Sequence, residues 1–164
     1  MTKTTLLFGL VSLLYIQTGC KNSDDSKKAG GKPATEKKAI IKEKWNWGNE
    51  KKQDETAGYA QVVKVGNTLY ISGVPTSDLS PKGITALYKT LEKCLNAYGA
   101  SSENVVKENL YTTDIELMKK YNDSRKEFYK GDYPAATWVQ ISRLYEAKAK
   151  VEVDLIAQLP DNNE

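Results

Sequence analysis

The sequence predicts an α+β domain built on a mixed, mostly antiparallel sheet with two helices on one face. Three observations predict it. Short runs alternate between apolar and polar residues, two longer segments carry apolar residues at helical spacing, and these segments follow the order ββαβαββ. Packing both helices on one face is the economical arrangement for such an order. Because the second face of the sheet then lacks a cover, we expect the domain to self-associate.

The first predicted strands, residues 60–65 and 68–72, are separated only by Gly66-Asn67. A two-residue connection of this type is typical of a tight β-hairpin. Ahead of the hairpin, residues 39–47 predict an additional N-terminal strand.

The first predicted helix covers residues 81–98, where apolar residues recur at the spacing of one helix face, and Gly99 ends it. Residues 105–112 then predict a strand. A second helix is predicted over residues 114–129, opened by a capping box between Thr113 and Glu116. Residues 137–144 and 150–157 alternate in polarity and predict the last two strands.

The N-terminus predicts a lipoprotein signal peptide over residues 1–19. An apolar run of eleven residues, 6–16, has the length of a secretory signal core and ends shortly before Gly19-Cys20. Small residues followed by cysteine resemble the bacterial lipobox, in which the thiol of the cysteine is acylated. We therefore expect a protein lipid-anchored at Cys20 in the bacterial cell envelope. A plain signal peptide or an N-terminal anchor is the alternative, with Cys20 incidental.

Residues 20–50 are rich in lysine and poor in apolar residues, which predicts a flexible tether. The tether holds the domain, residues 51–164, away from the membrane; its lysines also allow contact with anionic headgroups. Residues 57–164 hold 13 basic and 14 acidic residues. Nucleic-acid binding usually needs a concentrated basic face, so no nucleic-acid partner is expected.

Composition excludes several kinds of catalytic site. The chain has no histidine, which rules out a Ser-His-Asp triad, a Cys-His pair and a histidine-ligated metal. Its two cysteines, Cys20 and Cys94, are too few for a thiolate zinc cage. We expect no metal and no cofactor, and we expect Cys94 to be a buried apolar residue of the first helix.

The domain resembles the RidA/YjgF family. The resemblance is carried by five stretches in unbroken order over residues 57–158: GYAQVVKVGNTLYISGVP, CLNAYGAS, VVKENLYTTD, YNDSRKEFY, and YPAATWVQISRL followed by KVEVDLIA. It implies a chorismate-mutase-like fold, a homotrimer, and three clefts between subunits. For the deaminase branch of the family, it also implies hydrolysis of reactive imines or enamines to keto acids and ammonia.

The resemblance also suggests site residues. Tyr59 matches the tyrosine of the cleft, Ser72-Gly73 the pair after the second strand, Asn122 an asparagine of the second helix, and Glu152 the glutamate thought to orient the hydrolytic water. The deaminase signature Pro-Ala-Arg-Ser-Cys is replaced here by the run Pro134-Ala135-Ala136-Thr137-Trp138.

This replacement matters because the signature arginine clamps the substrate carboxylate through two charge-assisted bonds. With Ala136 in its place and Trp138 in the place of the cysteine, we expect a smaller or more aromatic cleft suited to a less anionic ligand. Arg125 and Lys64 are the candidates for a substitute cation. Arg143 has the wrong strand parity relative to Ala136.

The residues leave two functions open. The first is a membrane-tethered imine or enamine hydrolase, with Glu152 and Tyr59 in catalysis and Ser72, Gly73, Asn122, Ala136, Thr137 and Trp138 shaping the pocket. The second is a non-catalytic trimeric module that binds a small molecule, which the missing arginine favours. From alternation alone, Glu152 and Asp154 would lie on a solvated strand face. Covering by a second subunit would half-bury Glu152 and raise its pKa.

Overall fold

The computed structural model describes residues 39–49, 53, 55 and 57–161. The predicted signal peptide, Cys20 and the tether before residue 39 lie outside these residues. Among the helices of the described part, none is long and apolar enough to cross a bilayer.

Six strands form one mixed sheet: β1 (Glu43–Trp45), β2 (Val62–Val65), β3 (Thr68–Thr76), β4 (Val105–Thr112), β5 (Ala135–Gln140) and β6 (Val151–Gln158). Their spatial order is β1-β2-β3-β6-β4-β5. The pair β4 and β5 is parallel and every other pair is antiparallel. The predicted mixed, mostly antiparallel sheet is confirmed.

The hairpin formed by β2 and β3 turns where the sequence predicts it. Val65 pairs with Thr68, and Gly66 adopts a φ of 58°, a conformation that costs glycine little. β1 pairs with β2 and so adds the strand predicted within residues 39–47. The sheet therefore includes residues that composition assigned to the tether.

The helices cover one face of this sheet. Helix α1 (Pro81–Asn96) begins at Ser80, whose Oγ accepts a hydrogen bond from the Gly83 amide, and the chain turns away beyond it at Gly99 with φ 70°. The helix buries the apolar stripe that its spacing predicts. Its Cys94 is fully buried, as predicted, and burial raises the pKa of the thiol to about 12.

The second predicted helix is wrong in its continuity. Residues 114–129 form two short helices, α2 (Ile115–Lys120) and α3 (Asp123–Tyr129), with a break at Tyr121-Asn122. Its predicted cap is also wrong: the Asp114 side chain, rather than Thr113, accepts the hydrogen bond from the Leu117 amide. After the break, the Ser124 hydroxyl of α3 donates a 3.1 Å hydrogen bond to the carbonyl of Pro81 at the start of α1.

The core lies between the helices and the sheet. Residues at every second position of β4 and β6 are buried against the helices: Glu108, Leu110, Thr112, Val151, Val153, Leu155 and Ala157. Glu108 is the charged member of this set, at 0% exposure. The residues between them lie on the opposite face, which no described helix covers.

Candidate active site

A cleft of about 350 Å³ lies on the uncovered side of the domain. Four of the predicted site residues line it together, namely Tyr59, Ser72, Gly73 and Glu152. Ala57, Pro75, Tyr145 and Glu146 complete its walls. The structure thus brings together half of the residues that the family resemblance suggested.

A β-bulge in β3 positions two of these residues. Ile71 pairs with Leu155 of β6 and Val74 with Val153, so three steps along β3 face two steps along β6. The extra residue lies within Ser72-Gly73. Bulges of this kind redirect side chains and backbone and are frequent beside active sites.

The Ser72 side chain is held in one orientation. Its hydroxyl donates a 2.7 Å hydrogen bond to the Ala60 carbonyl, while its carbonyl accepts one of 2.9 Å from Nε2 of Gln61. Because the hydroxyl proton is already engaged, the free lone pair of Oγ can only accept a further hydrogen bond. A ligand at this wall is best placed if it presents an N–H group.

Glu152 lies directly over Gly73. A Cβ atom added at Gly73 would lie 2.7 Å from both Cγ and Cδ of Glu152, far inside van der Waals contact. Glycine therefore gives the carboxyl group its space. No described residue donates a hydrogen bond to that carboxyl, and Glu152 lines the cleft.

The environment of Glu152 favours its protonated form. Partial burial raises the pKa of this carboxyl, and the negative charges of Asp154 and Glu146 raise it further. The predicted half-buried carboxylate is thus present already in a single protomer. A carboxyl with a raised pKa that lines a cleft is a candidate for general acid–base work.

The other predicted residues lie elsewhere in the protomer. Asn122 is between α2 and α3, and its Oδ1 is buried with no hydrogen-bond partner in the described part of the chain. Ala136 and Trp138 are on β5, in register with Glu108 and Leu110 of β4, so they lie on the helix-covered face. Thr137 points to the opposite face, where its hydroxyl accepts a 2.7 Å hydrogen bond from Lys107.

Trp138 does not line the cleft within one protomer, and its role in a cleft between subunits stays a prediction. Its Nε1 donates a 3.1 Å hydrogen bond to Glu108 on the other side of the sheet. Tyr88 and Tyr129 donate to the second oxygen of Glu108, at 3.1 and 2.7 Å, and Nε of Arg125 donates to the first at 2.8 Å. We call these five residues the Glu108 cluster.

The Glu108 cluster contains Arg125, one of the two candidates for a substitute cation. Arg125 does lie beside Ala136, because it bonds the strand neighbour of that residue. Its guanidinium is stacked among the rings of Tyr129, Tyr133 and Trp138, at 4.9 to 5.7 Å from their centroids. It is nevertheless 7% exposed and neutralised by Glu108, so it is not a free cation. Lys64 is also engaged, in a 2.8 Å ion pair with Glu43.

Burial dominates the ionisation of this cluster. It raises the pKa of the Tyr88 and Tyr129 hydroxyls, and the Glu108 carboxylate raises both further, so each hydroxyl remains a donor. Burial opposes the charge on Arg125, but the Glu108 carboxylate outweighs it and the pKa of the guanidinium is raised. Sequence reasoning missed Glu108. The available signal was an acidic residue two positions before Leu110 on a strand that also carries inward apolar residues.

Comparison with known proteins gives a consistent family signal. A family model described as endoribonuclease L-PSP matches residues 50–159. A 2-iminobutanoate/2-iminopropanoate deaminase of Dermatophagoides farinae is 31% identical over 107 residues, covering 60% of this chain and 83% of that protein. A RutC family protein of Saccharolobus solfataricus is 30% identical over 118 residues, covering 66% of this chain and 93% of the relative.

Solved structures agree on the fold. The crystal structure of a YjgF/YER057c/UK114 family member from Mycobacterium tuberculosis superposes with a TM-score of 0.64 at 19% identity. The match covers 73% of this chain and all of that one. A YjgF family protein of Neisseria meningitidis gives a TM-score of 0.61 at 19% identity, covering 74% and 98% of the two chains.

Proposed function

Since the chain belongs to the endoribonuclease L-PSP family, which includes the RidA/YjgF proteins, we propose that it hydrolyses imines or enamines. The observation that supports this function most is Glu152: a half-buried carboxyl of raised pKa, open to a cleft that Tyr59, Ser72 and Gly73 also line. The proposal is consistent with relatives that are named imine deaminases.

The cleft supplies what the reaction needs. Water adds to the carbon of the C=N bond, and one of its protons passes through the Glu152 carboxylate to the nitrogen, which gives a carbinolamine. The Glu152 carboxylate then takes the proton of the new hydroxyl group and delivers it to the nitrogen as the C=O bond forms and the C–N bond breaks. The products are a carbonyl compound and ammonia, so atoms and charge balance without a cofactor. Ser72 Oγ, restricted to accepting, receives the N–H of the imine, and the Tyr59 hydroxyl borders the same space.

The proposal includes a homotrimer, the assembly typical of the family. The uncovered sheet face supports self-association: Tyr70 and Val139 on β3 and β5 are 48% and 40% exposed. Beside them, Asn109 and Asp154 form a 2.9 Å hydrogen bond between β4 and β6. A neighbouring subunit on this face would deepen the cleft, and it would offer its own β5 edge, with Ala136 and Thr137, to complete the site.

The proposal also places the protein at the cell envelope, attached to the membrane through lipid on Cys20. The support is the apolar run of residues 6–16 followed by Gly19-Cys20 and a lysine-rich segment. Mass spectrometry of the N-terminus tests this part: a chain that starts at an acylated Cys20 is expected, and an uncleaved, unmodified Met1 would contradict it.

The alternative function is binding of a small molecule without turnover. Ala136 provides no charge, and Arg125 beside it is already paired with Glu108. The described residues of the protomer therefore lack a carboxylate clamp of the deaminase type, which would reduce binding of an anionic substrate by an amount on the order of 2–5 kcal/mol.

Ammonia release distinguishes the two. The full chain is added to 2-iminopropanoate generated in situ and to uncharged imines. We expect acceleration over buffer, reduced about 100-fold or more in Glu152→Gln. Glu116→Gln is the control, since Glu116 is an exposed carboxylate on α2 that does not line the cleft. Ligand-induced thermal stabilisation without ammonia release from any imine would support the binding module instead.

A further inference from the structure

A second cavity, of about 330 Å³, adjoins the cleft on the far side of Gly73. The two cavities share Tyr59, Gly73 and Pro75 as a common wall. We call it the Trp47 chamber, because the indole of Trp47 forms one wall and helix α1 forms the opposite one. Its other main contributors are Gln61, Val74, Ala86, Leu87 and Thr90.

Trp47 is held firmly although it is 37% exposed. Its indole Nε1 donates a 2.9 Å hydrogen bond to Oε1 of Gln61, and its amide donates one of 3.0 Å to Oε1 of Gln53. The ring of Trp45 packs against it edge-on, with the centroids 4.7 Å apart. The bond to Gln61 and the ring of Trp45 restrain the indole, and the bond to Gln53 restrains the backbone of Trp47, so the wall exists before any ligand arrives.

Gln61 connects this wall to the cleft. Gln61 is 2% exposed. Its Nε2 donates a hydrogen bond to the carbonyl of Ser72 at the bulge, and its Oε1 accepts one from Nε1 of Trp47. The same side chain thus sets the position of the chamber wall and of a cleft residue. The two cavities are adjacent parts of one rigid frame.

The chamber is uncharged and mixed in polarity, since Gln61, Thr76 and Thr90 line it beside apolar and aromatic side chains. None of the described residues that line it carries a charge, and Val74 and Leu87 form its floor as part of the hydrophobic core. A dry apolar cavity of about 150 Å³ is enough to admit benzene. The chamber therefore has room for a phenyl ring against Trp47, where aromatic contacts favour edge-to-face or offset packing.

We infer that the Trp47 chamber binds the side chain of the substrate and selects imines or enamines that carry an aromatic or large apolar group. This inference rests on the proposed function of the cleft. The reacting C=N bond lies between Ser72 and Glu152, and the side chain extends past Gly73 towards Trp47. Trp47 lies ahead of residues 50–159, the part that matches the family model.

Two measurements on the full chain test the inference. The first compares hydrolysis of 2-imino-3-phenylpropanoate and 2-iminopropanoate, both generated in situ. The second measures binding of phenylacetone and acetone by calorimetry, two uncharged ketones that differ in the phenyl group. We expect the aromatic imine and phenylacetone to be preferred, and Trp47→Ala to lower both preferences about tenfold. Trp47→Phe, which keeps an aromatic wall, should retain most of them.

The outcomes test binding in the Trp47 chamber and hydrolysis in the cleft independently. Glu152→Gln should lose hydrolysis and keep phenylacetone binding. Trp47-dependent binding of phenylacetone without hydrolysis of either imine supports the chamber and contradicts the hydrolase. Hydrolysis of both imines at equal efficiency, unchanged in folded Trp47→Ala, overturns the chamber. Should Trp47→Ala fail to fold, Ala86→Phe fills the chamber from helix α1, and phenylacetone binding that survives this change overturns the inference.

Discussion

Glu108 and Glu152 lie on neighbouring strands, β4 and β6, but in opposite environments. Glu108, on the helix-covered face, is fully buried and accepts four hydrogen bonds. Glu152, on the other face, is half-buried, accepts none from a described residue, and has a raised pKa. Glu108 has a full complement of hydrogen-bond donors. The surroundings of Glu152 disfavour its negative charge, and its oxygens have no donor among the described residues.

The difference teaches which carboxylate can do chemistry. A group whose lone pairs are all engaged stabilises structure, and exchanging its partners for a substrate would leave buried donors unpaired. A group that lacks partners is costly in the folded state and is available to a ligand. The two faces of one sheet therefore divide structural and chemical roles between two identical side chains.

The largest expected effect is the loss of stability on removing Glu108. Glu108→Ala leaves the buried Arg125 guanidinium and three further donors without their acceptor, and we expect the free energy of unfolding to fall by about 3–5 kcal/mol. Urea denaturation at fixed protein concentration measures it. The double variant Glu108→Leu with Arg125→Leu should recover much of the loss, since no buried charge remains. A single variant as stable as the wild type would show that the cluster is not formed.

A smaller effect is expected from Gly73→Ala. The added methyl would displace the Glu152 carboxyl, and displacements of about 1 Å at a reacting group cost on the order of 100-fold in rate. The rate of imine hydrolysis measures this. Gly99→Ala is the matched control: its φ of 70° makes alanine strained there, with nothing near its Cβ, so stability should fall and the rate per folded molecule should not. Equal rates in both variants would separate Glu152 from the reaction.

Glu152→Gln should change stability in the opposite direction to Glu108→Ala. Because the pKa of Glu152 is raised on folding, its contribution to stability is complete below its unfolded-state pKa and is lost as the pH rises through the folded-state value. At neutral pH the folded protein with an ionised carboxyl at position 152 is therefore less stable than the folded protein with an amide there. We expect Glu152→Gln to gain less than about 1 kcal/mol at pH 7, since the group is half in solvent. Thermal melts from pH 4 to 8 measure it, and a gain that grows towards acid would contradict the assignment.

The smallest effect is expected at a surface ion pair of the same length as the buried one. Lys119 and Glu116 on α2 are 2.8 Å apart, as are Arg125 and Glu108, but both side chains are more than half exposed. Lys119→Ala should lower the free energy of unfolding by less than about 0.5 kcal/mol, because water screens the pair. The same urea titration checks it. A loss comparable to that of Glu108→Ala would mean that burial is not what separates the two pairs.

Much of the fold follows from local patterns in the sequence. The hairpin at Gly66-Asn67, the buried stripe of α1 and the strand over residues 105–112 depend on periodicity and turn residues that neighbours in the chain supply. The break between α2 and α3 does not follow from such local patterns. It depends on α3 packing across α1, a contact between distant parts of the chain that a continuous apolar stripe does not reveal.

The site divides in the same way. Tyr59, Ser72, Gly73 and Glu152 were predicted through resemblance, and the structure brings them into one cleft. The Glu108 cluster was missed because its members are far apart along the chain and only the parallel register of β4 and β5 places Trp138 within reach of Glu108. Alternation assigns a residue to a face of its strand, but it does not say which partners will satisfy a buried charge.

The bulge in β3 makes the strand change phase. Leu69 and Ile71 are buried in its first half and Val74 in its second, although Ile71 and Val74 are three positions apart, an offset that places residues of a regular strand on opposite faces. Without the bulge, a regular strand of the same length would turn Val74 outwards, exchanging a core side chain for an exposed one. Deleting one of Ser72 and Gly73 would restore simple alternation with Val74 still inward, but it would remove a residue of the cleft. Anyone transplanting this cleft onto another sheet must therefore carry the inserted residue along with the side chains it displays.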